Sequence, residues 1–164
     1  MNWTLWKSPR AAVGVEADEI NFTNSQARNL RSVEPVRGIA TSFGSLNTDE
    51  STAIVFSDFE FNVNNELVSH VEVELHVSRL GRVQDKVIAL WFDGVRRKAN
   101  LANLAAEDRH VYSGLTKDWR AGSNIDYNSP QFGVYVDLQP HTQYPSNNTV
   151  YIRSVRVRLG ISSD

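Results

Sequence analysis

Four residues capable of chemistry occupy every second position of one short stretch. In SHVEVELHVS (residues 69–78), His70, Glu72, Glu74 and His76 alternate with Val71, Val73, Leu75 and Val77. Imidazoles and carboxylates are common zinc ligands, and a pair of carboxyls is what glycoside hydrolysis requires. Alternate residues of a strand lie about 6.6–7 Å apart, so His70 with Glu72, or Glu74 with His76, could clasp one ion. All four could not share it. A zinc centre would need a third ligand from another strand, for which His110 and His141 are the remaining histidines. Glu72 and Glu74 have a spacing that suits two hydrolytic acids, but only a cleft would give that spacing meaning. The competing reading is simpler: four polar residues face water while four aliphatics face a core. We expect the second, hence no catalytic residue, no metal and no other cofactor.

The remaining chemistry is thin. The chain lacks G-x-S-x-G, H-E-x-x-H, G-x-G-x-x-G and any phosphate-cradling glycine loop. It has no cysteine, which excludes disulfides, thiolate metal sites and a thiol nucleophile. A net charge of −2 gives no general attraction to nucleic acid or anionic lipid. Arg96, Arg97 and Lys98 could touch phosphate, but they read as the solvated end of a hairpin, so no nucleic-acid partner is expected. No apolar run approaches the ~20 residues of a membrane helix, and no membrane association is expected. The opening MNWTLWKSPRAAVGVEADE has no basic segment leading into an apolar one, so no signal peptide is expected. Asn2-Trp3-Thr4, Asn21-Phe22-Thr23 and Asn147-Asn148-Thr149 then read as chance matches to the glycosylation pattern.

These side chains must be positioned by strands, because period 2 dominates the chain. SDFEFNV alternates Phe59, Phe61 and Val63 with polar residues. DKVIALWFDG is an almost continuous apolar run ending at an Asp-Gly turn, the pattern of a strand buried on both faces. QFGVYVDLQ and TVYIRSVRVRLGI alternate again. In the last the phase slips, since Val150 and Ile152 are even-numbered but Val155, Val157 and Leu159 odd. A bulge near Arg153-Ser154 reconciles the halves. ANLANLAAEDRH (residues 99–110) is the one stretch that looks helical. Residues 23–52 read as loop-rich, with short strands around Ile39 and Phe43. The expectation is an all-β, antiparallel β-sandwich, jelly-roll-like, with an extended N-terminal arm and at most one or two short helices. Residues 1–22 would form the arm and first strands, and 23–164 a single sandwich domain.

Partner contacts are expected where large or charged side chains lack an internal role. Trp3 and Trp6, near one end of the chain, suit docking on this domain or on a neighbour. Arg153, Arg156 and Arg158 form a basic row on the last strand that would guard a sheet edge or bridge to a partner subunit. In a rival reading Tyr112, Tyr127 and Tyr144 are loop aromatics that stack on glycans, making the chain a carbohydrate-binding module.

In order along the chain, TLWKSPRAAVG, SDFEFNV, LVSHVEVELHVSR, DKVIALWFDGVRRKANLA, SNIDYNSPQFGVYVDL and VYIRSVRVRLGI resemble a family of small β-sandwich proteins encoded in tailed-phage genomes. The resemblance spans the chain apart from 23–52 and the loop 139–149. It departs from the family at Val63-Asn64, near Arg153, before Trp119 and at Arg158-Leu159-Gly160. It implies a non-enzymatic virion structural protein, either a tail or fibre accessory or a capsid decoration (cement) component. Its partners would be other virion subunits and further copies of itself, for instance in a trimer. Its location would be the virion, assembled in the host bacterial cytoplasm.

Overall fold

The structure, a computed structural model, describes residues 1–16, 41–45, 52–80, 83–104, 108–140 and 149–163. Ten strands occur among them: β1 (Asn2–Trp3), β2 (Ala11–Glu16), β3 (Thr41–Ser45), β4 (Thr52–Ser57), β5 (Val68–Leu80), β6 (Val83–Phe92), β7 (Val95–Arg96), β8 (Arg109–Leu115), β9 (Phe132–Pro140) and β10 (Thr149–Ile161). All pairings are antiparallel. Strands pair from the outside inward: β3 with β10, β4 with β9, β5 with β8 and β6 with β7. Lateral pairing of β5 with β10 and of β6 with β9 then closes two sheets. The result is a long hairpin rolled into a sandwich, which is jelly-roll topology. One sheet runs β1-β10-β5-β8, with β3 on the same flank of β10 as β1 but at its opposite end; the other runs β2-β4-β9-β6-β7. The first strands therefore join both sheets, β1 one and β2 the other.

Alternation places the core. Val71, Val73, Leu75 and Val77 of β5 and Val155, Val157 and Leu159 of β10 pack against Ile54 and Phe56 of β4, Ile88 and Leu90 of β6, and Phe132, Val134 and Val136 of β9. Trp119 is fully buried, and its Nε1 donates to the Val71 carbonyl at 3.0 Å. A second apolar cluster of Ala53, Val55, Val87, Ala89 and Tyr135, with Trp91 against it, forms on the opposite face of the β4-β9-β6 sheet. The β6 run is thus buried on both sides, as its composition suggested. The expected bulge is present: β10 slips against β5 between Ile152 and Ser154.

Two expectations about local structure need correction. SDFEFNV is not a strand. Asp58 (φ 62°) and Glu60 (φ 59°) adopt left-handed backbone, so Phe59 and Phe61 both turn inward onto Phe132 without any ladder. Irregular chain here imitates the two-residue period of a sheet, and the strand lies just upstream at Thr52–Ser57. Nor is ANLANLAAEDRH a helix among its described residues. Asn100 lies along β6, where its Oδ1 accepts from the Ile88 and Ala102 N–H groups and its Nδ2 donates to the Lys86 carbonyl. Side-chain amides that satisfy backbone groups compete with helix, and here the edge of β6 wins. The described helical structure is a single 3-10 turn at Asn65–Leu67, with the Asn64 side chain accepting from Glu66 N–H. Phe43 falls in β3, as expected, whereas Ile39 lies outside the described residues.

Two glycines matter for different reasons. Gly94 (φ 81°) follows Asp93 (φ 51°) in the two-residue turn between β6 and β7, where both positions need positive φ. Gly133 sits in β9 with its α-carbon pressed on β4: a β-carbon there would lie 2.6 Å from the Phe56 carbonyl oxygen. Backbone cannot yield as a flexible side chain can. Gly133→Ala is expected to destabilise the protein by about 1–3 kcal/mol in urea unfolding, more than Gly94→Ala at about 1 kcal/mol. Equal or reversed losses would show that β9 and β4 do not approach so closely.

Candidate interaction face

The register of β5 decides what the His/Glu row faces. Across one side lie Gly160, Arg158, Arg156 and Ser154 of β10, opposite His70, Glu72, Glu74 and His76 respectively. Across the other lie Leu115, Ser113, Val111 and Arg109 of β8. Directly opposed residues point to the same face, so each acid meets an arginine. Arg158 Nε donates to Glu72 Oε2 at 2.6 Å, and Ser113 Oγ donates to Glu72 Oε1 at 3.1 Å. Arg156 donates to Glu74 Oε1 from both Nε (3.0 Å) and Nη2 (2.8 Å), while Arg109 Nη1 stands 3.5 Å from the same oxygen. Glu74 is only 6% exposed, so its two cations replace water.

The N-terminal arm runs beside β10 and lays its tryptophans on this face. Arg158 lies between two indoles, its guanidinium carbon 4.6 Å from the Trp3 ring centre and 4.7 Å from that of Trp6. Arg156 sits 5.1 Å from Trp6, and Trp3 meets the His70 ring edge-on at 5.9 Å. Backbone bonds fix the arm along β10: Thr4 N–H to Leu159 O (2.9 Å), Lys7 N–H to Val157 O (2.8 Å) and Val157 N–H to Lys7 O (2.9 Å). Leu159 N–H donates to Thr4 Oγ1 at 2.9 Å. Trp3 and Trp6 therefore dock on their own domain and remain half-exposed.

This arrangement corrects the reading of the arginines. β10 is flanked by β5 on one side and by β3, the arm and β1 on the other, so Arg156 and Arg158 project from a sheet face rather than guard an edge. Arg156 and Arg158 bridge to glutamates of their own chain. Arg153 lies in β10 at the bulge. Tyr112 (3% exposed) and Tyr127 (4%) belong to the core and offer no ring to a glycan. The Tyr112 hydroxyl donates to Asp85 Oδ2 at 2.8 Å, and Tyr127 packs edge-on against Phe132 at 5.0 Å. Tyr144 and His141 lie outside the described residues.

Among the described residues the metal reading finds no third ligand. His110 opposes Leu75, so it points to the core side of the sheet, away from Glu74 and His76. No group of three His, Cys, Asp or Glu among the described residues converges on a point. Nor does any helix among them have the length and apolar character to cross a membrane. The aromatic–cation sandwich was not anticipated, although its components, W-x-x-W at Trp3 and Trp6 and R-x-R at Arg156 and Arg158, are plain in the sequence. What hid it was pairing between chain ends about 155 positions apart, which no local pattern reports. Comparison with protein-family models, with curated proteins and with solved structures returns no match.

A shallow cleft of about 320 Å³ lies at one end of the sandwich, lined by Asn65, Glu66, Thr116, Ser123, Ile125 and Tyr127 among others. Burial pushes the Tyr127 phenol up to about 12, with the positive charge of Arg97 opposing the rise. It is therefore a neutral group at physiological pH and no general base. Because the folded-state value lies above the ordinary 10.0, the neutral phenol contributes stability that is complete below pH 10 and lost as pH passes through about 12. Urea unfolding of the native protein should accordingly weaken by up to roughly 2–3 kcal/mol more than that of Tyr127→Phe between those limits. Parallel curves for the two proteins would mean that the phenol is not buried in solution.

Proposed function

We propose that this chain is a non-enzymatic structural subunit of a tailed-phage virion. It binds other virion subunits and further copies of itself as a tail or fibre accessory or as a capsid decoration component. The observation that carries the reading is the state of the row suited to chemistry: Glu72 and Glu74 are covered and held by arginines on a sheet face rather than aimed into a cleft. Such a face has little to offer a substrate and much to offer another protein. It carries half-exposed tryptophans and arginines, residue types enriched at protein–protein contacts. Apolar side chains stand out around it: Leu5 is 82% exposed, Met1 59% and Val111 41%. The ordered sequence resemblance to small phage β-sandwich proteins and the jelly-roll topology support the same assignment.

The face and its arm would bind through apolar and aromatic burial around a preformed charged floor. Light scattering on the purified chain is expected to give a multiple of the chain mass. Leu5→Asp combined with Val111→Asp should return the monomer with its circular dichroism unchanged, since both side chains are exposed. Antibody against the chain should label purified particles of the phage that encodes it. A native protein monomeric throughout the micromolar range, or particles lacking the chain, would refute the proposal.

A further inference from the structure

The arm has the properties of a detachable strap. None of residues 1–10 belongs to either apolar cluster; the earliest member is Ala12. The arm is held instead by backbone bonds to Val157 and Leu159 and by Trp3 and Trp6 around Arg158. Lifting it would withdraw no member of either cluster. It would, however, bare the N–H and C=O groups of β10 that now meet Thr4 and Lys7, creating an edge that seeks a new strand. The pivot is also defined. Arg10 N–H is pinned to the Ser57 and Asp58 carbonyls at 3.1 Å, and buried Pro9, with its fixed φ, keeps the crossing from one sheet to the other extended. Residues 1–7, with a strand at Asn2–Trp3 and a single bridge at Lys7, can thus leave as a unit.

We propose that residues 1–7 exchange between copies, each arm seating on the β10 strip of a neighbour. This deepens the assembly reading above and rests on it, since it names the segment and the receptor through which copies join. The receptor is a backbone edge at Val157 and Leu159 with the Arg158 guanidinium beside it. The ligand chemistry is an extended W-x-x-W segment, and the chain itself supplies both. Every contact the arm makes in its own molecule is reproduced in the exchanged form. Exchange therefore costs little beyond association, the condition under which swapping an identical element is an easy route to an oligomer.

The absence of native cysteine permits a clean test with full-length chains. Asn2 and Ile161 are direct partners across β1 and β10. Such pairs have α-carbons about 4.5–5.5 Å apart, within disulfide reach. Asn2→Cys and Ile161→Cys, made as separate single variants, are mixed at high concentration, incubated and oxidised. The expected result is a mixed 2–161 disulfide, identified by its cross-linked peptides, several-fold more abundant than the product from Val95→Cys with Ile161→Cys. A mixed product no greater than that control overturns the exchange. Light scattering on the unoxidised mixture separates the two claims. Oligomers without the 2–161 bond leave assembly standing and exclude the arm as its link, whereas monomers without the bond remove both.

Discussion

Pairing of β5 with β10 is the constraint from which the rest of the molecule follows. Each is a strand of 13 residues, and their register sets Val73 opposite Val157 on one face and Glu74 opposite Arg156 on the other. A shift of one residue would drive arginines into the core and valines into water, so the apolar and ionic halves of the pattern enforce each other. The bulge between Ile152 and Ser154 maintains this agreement: without it the first part of β10 would be in the wrong phase. Core and face are two consequences of one alignment.

From that alignment the character of the outer face follows. Exposed ion pairs contribute little; Arg10 and Glu60, at 63% and 57% side-chain exposure, are of this kind. Glu74 differs because its side chain is 8% exposed, and removal of its arginines would leave a carboxylate short of both water and counter-charge. Arg158 is held still more broadly, by Glu72 across the β5–β10 pair and by the two indoles of the arm. The face is consequently cross-linked by charge, three arginines to two carboxylates, with its tryptophans only partly buried.

How much of this was legible in the sequence depended on the range of the interactions. Alternation in β5, β9 and β10 announced a sandwich, the parity change at Ile152 and Val155 announced the bulge, and Asp93-Gly94 announced a turn. All are local signals. Phe59 and Phe61 misled because left-handed residues at Asp58 and Glu60 reproduce a strand's alternation by other means. Residues 99–104 misled because alanine-rich composition favours helix until Asn100 finds backbone partners on β6. The acids and arginines were individually visible. Their pairing was not, since it joins positions more than 80 apart. Tyr112 and Tyr127, loop aromatics in the rival glycan reading, are carried inward by the topology.

The most direct measurement of the central claim is a double-mutant cycle on Glu74 and Arg156, using Glu74→Ala, Arg156→Ala and the pair, with urea unfolding as readout. If the polar row is an internal ladder fixed by the β5–β10 register, the two losses will be strongly non-additive, with a coupling of about 1–3 kcal/mol. Additive losses would contradict the account, because they would mean that the acid and the arginine act independently and that the row is open for another purpose.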